Sequence, residues 1–284
     1  MRWREATLLT MGLLATAAAS CQQQQASVTT TRADAEQERV INEIRAKGGE
    51  VFYELNRLDR PVEGVSFSAK TRAKDDDIAP VKGLPNLKFL EIPGSQVTDT
   101  GLSHIKGLAK LERLDITQCP ISDAGLEHLQ GLTNLRVLTE LGPRVTDNGM
   151  ASLKNLKELR ELRLQGSRVT DAGLAHLRDL TNMEKLYLSG TQISDAGLAH
   201  LEGMKGLKLL NLYSTPIGDT GLAHLKGLKN LEELSLYRTE VSDAGLAPLK
   251  EMPWLKQIDL SGTKVTLKGA VDLQKALPFT GIRR

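Results

Sequence analysis

The sequence predicts a solenoid of the α/β class, in which short parallel strands and short helices alternate along a stack of like units. Three observations predict it. Leucine or methionine stands at residues 87, 111, 135, 159, 183, 207, 231 and 255, a spacing of 24 each time. Within each unit the apolar period changes from two to three. An Asp and a Gly recur two residues apart where the period changes. Self-similarity at such a period is the signature of a repeat architecture.

With the recurrent Leu or Met as position 1, position 4 is Leu or Ile in all eight units, from Leu90 to Ile258. Position 6 is apolar from Ile92 to Leu260, with Glu140 the exception. Alternation at 4 and 6 is what a strand with one buried face requires. Position 11 is Val or Ile from Val97 to Val265, and positions 16, 19 and 22 are aliphatic throughout. A step of three lays those side chains along one face of a short helix. Position 13 is Asp in seven units: Asp99, Asp123, Asp147, Asp171, Asp195, Asp219 and Asp243. A Ser/Thr–Asp pair ahead of a helix supplies an N-cap oxygen and negative charge at the positive helix end. Gly at position 15, from Gly101 to Gly269, reads as close packing or a tight turn rather than a phosphate cradle. One such unit cannot bury its apolar face alone, whereas a stack buries a continuous core. Composition agrees: 40% of residues are hydrophobic but only 4% aromatic, so the core must be aliphatic.

The ends read as caps. Asp75, Ile78, Val81 and Leu84 match positions 13, 16, 19 and 22 of a partial unit whose strand, with Val65 and Phe67, is one residue out of phase. Val40, Ile41 and Ile44 predict an amphipathic helix after Asp34, and Val51, Tyr53 and Leu55 alternate like a strand. Residues 34–62 are therefore an expected N-terminal cap and 63–278 the repeat domain. The last unit has Leu267 in place of Asp and closes at Pro278, which leaves 279–284 as a C-terminal tail. Unit three, with Glu140 in a core slot and Pro143 at position 9, predicts a bulge with Leu141 turned inward.

The template L-x-x-L-x-L-x-x-T-x-V-T-D-A-G-L-x-x-L-x-x-L-x-x resembles the leucine-rich-repeat family over residues 87 to about 278. The likeness is strongest to the T-D-A-G-L repeats of bacterial extracytoplasmic proteins. The resemblance implies a horseshoe with its parallel sheet on the concave face and its helices on the convex face. At position 9 the family often keeps Asn, Cys or Thr bonded to the coil backbone; here stand Ser95, Cys119, Ser167, Thr191, Thr215, Thr239 and Thr263.

The first 20 residues read as a secretory signal peptide, with Arg2 and Arg4 ahead of an uncharged apolar stretch too short to span a membrane as a mature helix. Ala18-Ala19-Ser20-Cys21 resembles the bacterial lipobox, with Ala18 where that family prefers Leu. The resemblance implies lipidation of Cys21 and an exported protein held in the cell envelope, in the periplasm or at the outer membrane. Gln22 stands where Asp would signal inner-membrane retention. Residues 21–33 are polar and read as a flexible tether, so contact with a membrane is expected only through the lipid.

Without the signal peptide, 35 basic and 34 acidic residues leave a net charge of +1, which argues against nucleic acid as a partner. Positions 3, 5, 7 and 8 should line the concave face. Three of the four tyrosines fall there, and Tyr187, Tyr213 and Tyr237 are expected to form one patch with Arg163, Lys185, Asn211 and Arg238. Tyr and Arg most often carry interface energy. All five histidines, His104, His128, His176, His200 and His224, occupy position 18 and read as half-exposed helix residues rather than metal ligands. One Asp per unit does not supply the oxygens that calcium needs. No phosphate-loop or nucleophile-elbow motif occurs, and Cys119 lies in a buried column. The expectation is a monomeric, cofactor-free protein that recognises a protein partner, or another ligand, with its concave face and has no enzymatic activity. The alternatives are a structural envelope spacer and an adaptor-like effector of ubiquitin ligases, whose helical segment residues 34–62 are too short and polar to supply.

Overall fold

The computed structural model describes residues 32–55, 60–139 and 141–284. The signal peptide, Cys21 and the tether up to residue 31 lie outside the described residues. The chain divides at residue 39, within helix α1, Arg32–Ala46. The helix starts two residues ahead of Asp34, so Arg32 and Ala33 belong to it rather than to a tether.

Among the described residues of 40–284, one sheet of eleven strands follows chain order. Strand β1 (Glu50–Tyr53) is antiparallel to β2 (Val62–Ser66). From β2 onward every pair is parallel: β3 Phe89–Glu91, β4 Arg113–Asp115, β5 Val137–Leu138, β6 Glu161–Arg163, β7 Lys185–Tyr187, β8 Leu209–Asn211, β9 Glu233–Ser235, β10 Gln257–Asp259 and β11 Gly281–Arg283. Leu90 pairs with Leu114, and each partner further on stands one repeat later, to Ile258 with Ile282. Val65 pairs with Leu90, 25 residues on, which is the one-residue phase difference of the partial unit.

Each strand is short because only the position-4 side chain and its neighbour at 6 enter the core. Both are buried from Leu90 and Ile92 to Ile258 and Leu260, apart from unit three. In seven units the chain then leaves the sheet through a left-handed residue at position 8. Gly fills it at 94, 166, 190 and 262, while Gln118, Ser214 and Arg238 adopt it at φ of 54–60°. Glycine enters that region without strain, whereas a Cβ makes it costly. The position-9 threonines close the turn: Thr191, Thr215, Thr239 and Thr263 each donate Oγ1 to the carbonyl three residues back, at 2.6–2.7 Å.

The aspartates do more than sit at a helix start. Asp147 accepts from the Thr170 amide and the Thr170 hydroxyl, each at 2.7 Å, one unit further on. Thr170 Oγ1 in turn accepts from the Ala172 amide as an N-cap. The same clamp joins Asp75 to Thr98, Asp99 to Ser122, Asp123 to Thr146, Asp171 to Ser194, Asp219 to Ser242 and Asp243 to Thr266. Each carboxylate thus holds the N-cap of the following unit. This also accounts for the recurrent glycine: a Cβ on Gly173 would lie 2.3 Å from Asp147 Oδ1.

Unit three departs where expected. Leu141 is buried, and its amide donates to the Arg163 carbonyl at 2.9 Å. In unit four, Leu164 at position 6 makes the equivalent bond to Tyr187. The neighbour of Glu140 has therefore slid into the core slot.

Strands run across or beyond two of the expected boundaries. Residue 62 opens β2, so the expected cap and the repeat domain meet inside a hairpin, and Leu55 lies beyond β1, exposed. The expected tail 279–284 contains β11, which extends the sheet by one strand. Ile282 falls at position 4 of a ninth unit, and Thr280 Oγ1 donates to the Leu255 carbonyl at 2.6 Å.

Candidate recognition surface on the sheet

Since position 4 faces the core, positions 3 and 5 face outward on the sheet, one row above the next. Position 5 reads Arg163, Tyr187, Asn211, Ser235, Asp259 and Arg283 from β6 to β11. Tyr213 and Tyr237 are at position 7, where the chain leaves the strand.

The predicted residues separate into two clusters. In the first, Glu161 accepts from Arg163 at 2.7 Å, with Lys185 at 3.8 Å. The Arg163 guanidinium lies 4.9 Å from the centre of the Tyr187 ring, within cation–π range. In the second, the Tyr213 and Tyr237 rings stack at 4.9 Å with 20° between planes. Arg238, held in the left-handed region, reaches within 5.2 Å of the Tyr237 ring. Asn211 Oδ1 accepts from the Tyr213 amide at 3.0 Å and from the Ser189 hydroxyl at 2.9 Å, which fixes the entry to the stack. Tyr187 is not part of that stack, because it leaves its strand at position 5 rather than 7. All three rings are half-buried.

Beside Tyr187 lies an open depression of about 470 Å³, lined among others by Leu209, Asn211, Glu233, Asp259 and Arg283. Arg283 is contributed by β11, so the sequence reading missed it together with that strand.

A further aromatic pair lies at the other end of the sheet. Phe52 and Phe89 approach to 5.4 Å between centroids. Phe89 covers Gly64, where a Cβ would fall 1.8 Å from its ring. Gly64 pairs with Phe52 on one side and Phe89 on the other, so only the register brings the three together.

Burial opposes ionisation of Asp115, but hydrogen bonds from Thr139 and Thr117 outweigh it and hold the carboxyl below its usual value. Burial pushes the Cys119 thiol up, and its Sγ donates to the Ile92 carbonyl at 3.1 Å, the opposite of an activated nucleophile. Four of the position-18 histidines are half-buried and His176 is exposed; His224 Nδ1 lies 2.7 Å from the Glu202 carboxylate. Among the described residues no group of three or more His, Cys, Asp or Glu is placed to hold a metal ion. No helix among them is long and apolar enough to cross a membrane.

A family model for the Leucine Rich repeat matches residues 107–129 and 179–201. No curated protein gives a significant match. Among solved structures, an internalin C2 of Listeria monocytogenes is 26% identical with a TM-score of 0.58, over 72% of this chain and 80% of that one. An internalin of the same organism is 20% identical at a TM-score of 0.53, over 72% and 69%. A leucine-rich-repeat protein of Leptospira interrogans is 20% identical at 0.57, over 72% of this chain and 51% of that one. These likenesses agree with the parallel strand-per-unit sheet described above: the chain carries leucine-rich repeats and has the leucine-rich-repeat fold.

Proposed function

We propose that this protein recognises a protein partner with the outward face of its sheet, anchored on the Tyr213–Tyr237 stack, and catalyses no reaction. The supporting observation is that stack, half-buried and backed by Arg238 and by Asn211, which also lines the open depression beside Tyr187. Preformed aromatic surface next to Arg is the composition of interface hot spots, and repeat solenoids use extended concave surfaces for binding. Arg163, Lys185 and Tyr187 form a second contact one strand group away. The N-terminal sequence supports export and a lipid on Cys21, and with them a location in the cell envelope.

The test is capture of partners from native envelopes by the full chain, followed by affinity measurement with any protein retained. Replacing Tyr213 and Tyr237 together by Ala is expected to weaken binding by about 2 kcal/mol or more, roughly thirtyfold, with an unchanged circular dichroism spectrum. Equal affinity of wild type and double variant would refute the assignment. Capture of nothing by the folded chain would favour an envelope spacer.

A further inference from the structure

We propose that one flank of the solenoid, formed by the turns that lead from each helical segment back to the sheet, docks on the anionic headgroups of a membrane surface. The near-neutral total charge conceals a segregation within the repeat. In the partial unit and units one to seven, positions 13–19, the helical segments, carry eleven Asp or Glu and no Lys or Arg. Positions 20–24, the turns that follow, carry ten Lys or Arg and four Asp or Glu. Position 20 alone holds Lys82, Lys106, Lys154, Arg178, Lys226 and Lys250, all exposed. Each strand pairs with the one a unit later, so stacking lines these residues up along one side.

Most of this charge meets no carboxylate. Of the six residues at position 20, only Lys226 forms an ion pair among the described residues, with Glu251 at 2.5 Å. At positions 23 and 24, Lys110 donates to the Asn86 amide oxygen, and Lys157 and Lys205 donate to the backbone carbonyls of Asp179 and Gly227. Lys229 lies over the Trp254 ring. All four partners are neutral and leave the ammonium charge uncompensated. A helix C-terminus favours a cation at position 20, but positions 23 and 24 lie beyond the helical segments. The neighbouring position-2 charges instead neutralise one another, as Arg136 does with Glu112, and Arg160 and Lys208 do with Glu184.

The tether joins the domain on the same side. Val40 packs against Gly83 at position 21, where a Cβ would fall 2.9 Å from a Val40 methyl. Lys47, just past the end of α1, donates to the Asp76 carbonyl at position 14. Residues 40–47 therefore cross the end of the stack from the basic flank toward the helix starts, and the preceding chain enters at the basic flank. Eighteen residues separate Cys21 from Val40. A chain anchored at Cys21 thus meets the bilayer with this flank nearest, and anionic headgroups attract exposed Lys and Arg over about a Debye length. This contact adds to the lipid, the one membrane contact expected from the sequence, and leaves the outward face of the sheet open to its partner. The bilayer as source of the anionic groups rests on the envelope reading, but the test dispenses with the lipid.

Co-sedimentation of the full chain carrying Cys21→Ser with phosphatidylglycerol vesicles, against phosphatidylcholine vesicles, tests it. The preference for anionic vesicles is expected at about a hundredfold in low salt, and is expected to collapse as added salt screens it. Lys82→Gln, Lys106→Gln and Lys154→Gln together should remove about tenfold or more of that preference. Arg144→Gln, Arg168→Gln and Lys264→Gln remove the same charge at position 10, on the opposite flank, and should change it less than about threefold. Circular dichroism should be unchanged in both variants, since all six residues are exposed. Equal partition of the parent chain between the two vesicle types overturns the proposal. So does a flank variant as selective as its parent, or a position-10 variant that loses as much, which would make net charge the cause. Retention on soluble heparin without vesicle preference overturns it in favour of a polyanionic partner. Mass spectrometry of the native protein tests the Cys21 lipid separately, so failure of that reading is distinguishable.

Discussion

Units three and six each lack one element of the repeat, and the chain repairs them in different ways. Unit three has Glu140 where the core needs an apolar residue; unit six has Gly218 where the other units have Ser or Thr at position 12. In unit three the backbone slides, so that Leu141 is buried and takes over the position-6 hydrogen bond, and β5 shortens to two residues. In unit six the backbone keeps its register. The Gly218 amide still donates to Asp195 at 2.6 Å, and Thr220, two residues later, donates its hydroxyl to the other carboxylate oxygen. The helical segment then starts at Gly221, two residues late, as a 3-10 turn, whereas it starts at position 13 in the other units, from Asp99 to Leu267. The difference reflects the forces involved. Burial is non-directional, so any apolar neighbour within reach satisfies a core slot. A carboxylate needs donors at set distances and angles, so only another hydroxyl in the right place replaces a lost one.

The largest effect is expected at Leu141. If it has become a core residue in full, Leu141→Ala should cost about 2–5 kcal/mol in urea unfolding, as Leu164→Ala should. A cost below about 1 kcal/mol for Leu141 alone would show that the slide fills space without supporting the fold. The second test concerns unit six. Thr220→Val removes the substitute hydroxyl and should cost about 1–2 kcal/mol. Gly218→Ser added to it should recover most of that loss, because a Cβ at 218 meets Asp195 Oδ2 at an ordinary 3.4 Å. Failure of the rescue would mean that Thr220 does not stand in for position 12. The smallest effect is in acid. The Thr266 hydroxyl, then the Thr266 amide, hold the Asp243 carboxyl below its ordinary value of 3.8. A lowered carboxyl contributes stability that is present at neutral pH and lost as pH falls through the lowered value. The melting-temperature advantage of wild type over Thr266→Val should therefore shrink on acidification past 3.8. An advantage constant with pH would exclude the carboxylate as its source.

Much of this was legible beforehand for a physical reason. The period, the strand around position 4, the helix start behind its Ser/Thr cap and the bulge at Leu141 are properties of side chains a few residues apart; the helix itself is shorter than the apolar step of three implied, since position 22 lies beyond it in every unit but the last. So was the phase shift at Val65, which needed only counting. Of the proposed surface, which side chains face outward was legible: Arg163, Lys185, Tyr187, Asn211, Tyr213, Tyr237 and Arg238 all lie on or beside the outward face. Which of them touch was not. Tyr213 and Tyr237 stack because both leave the sheet at position 7, while Tyr187 turns to Arg163.

The sequence by itself therefore determined the unit: its length, its buried residues and its order of strand, turn and helix, since local periodicity and turn chemistry act within one coil. The tertiary structure decided what each coil does to the next. It directed Asp147 to Thr170 rather than to its own helix, laid Phe89 over Gly64, and recruited Gly281–Arg283, which had read as a tail, as a strand. Those contacts join residues about one repeat apart, and their geometry exists only once the coils are stacked in register.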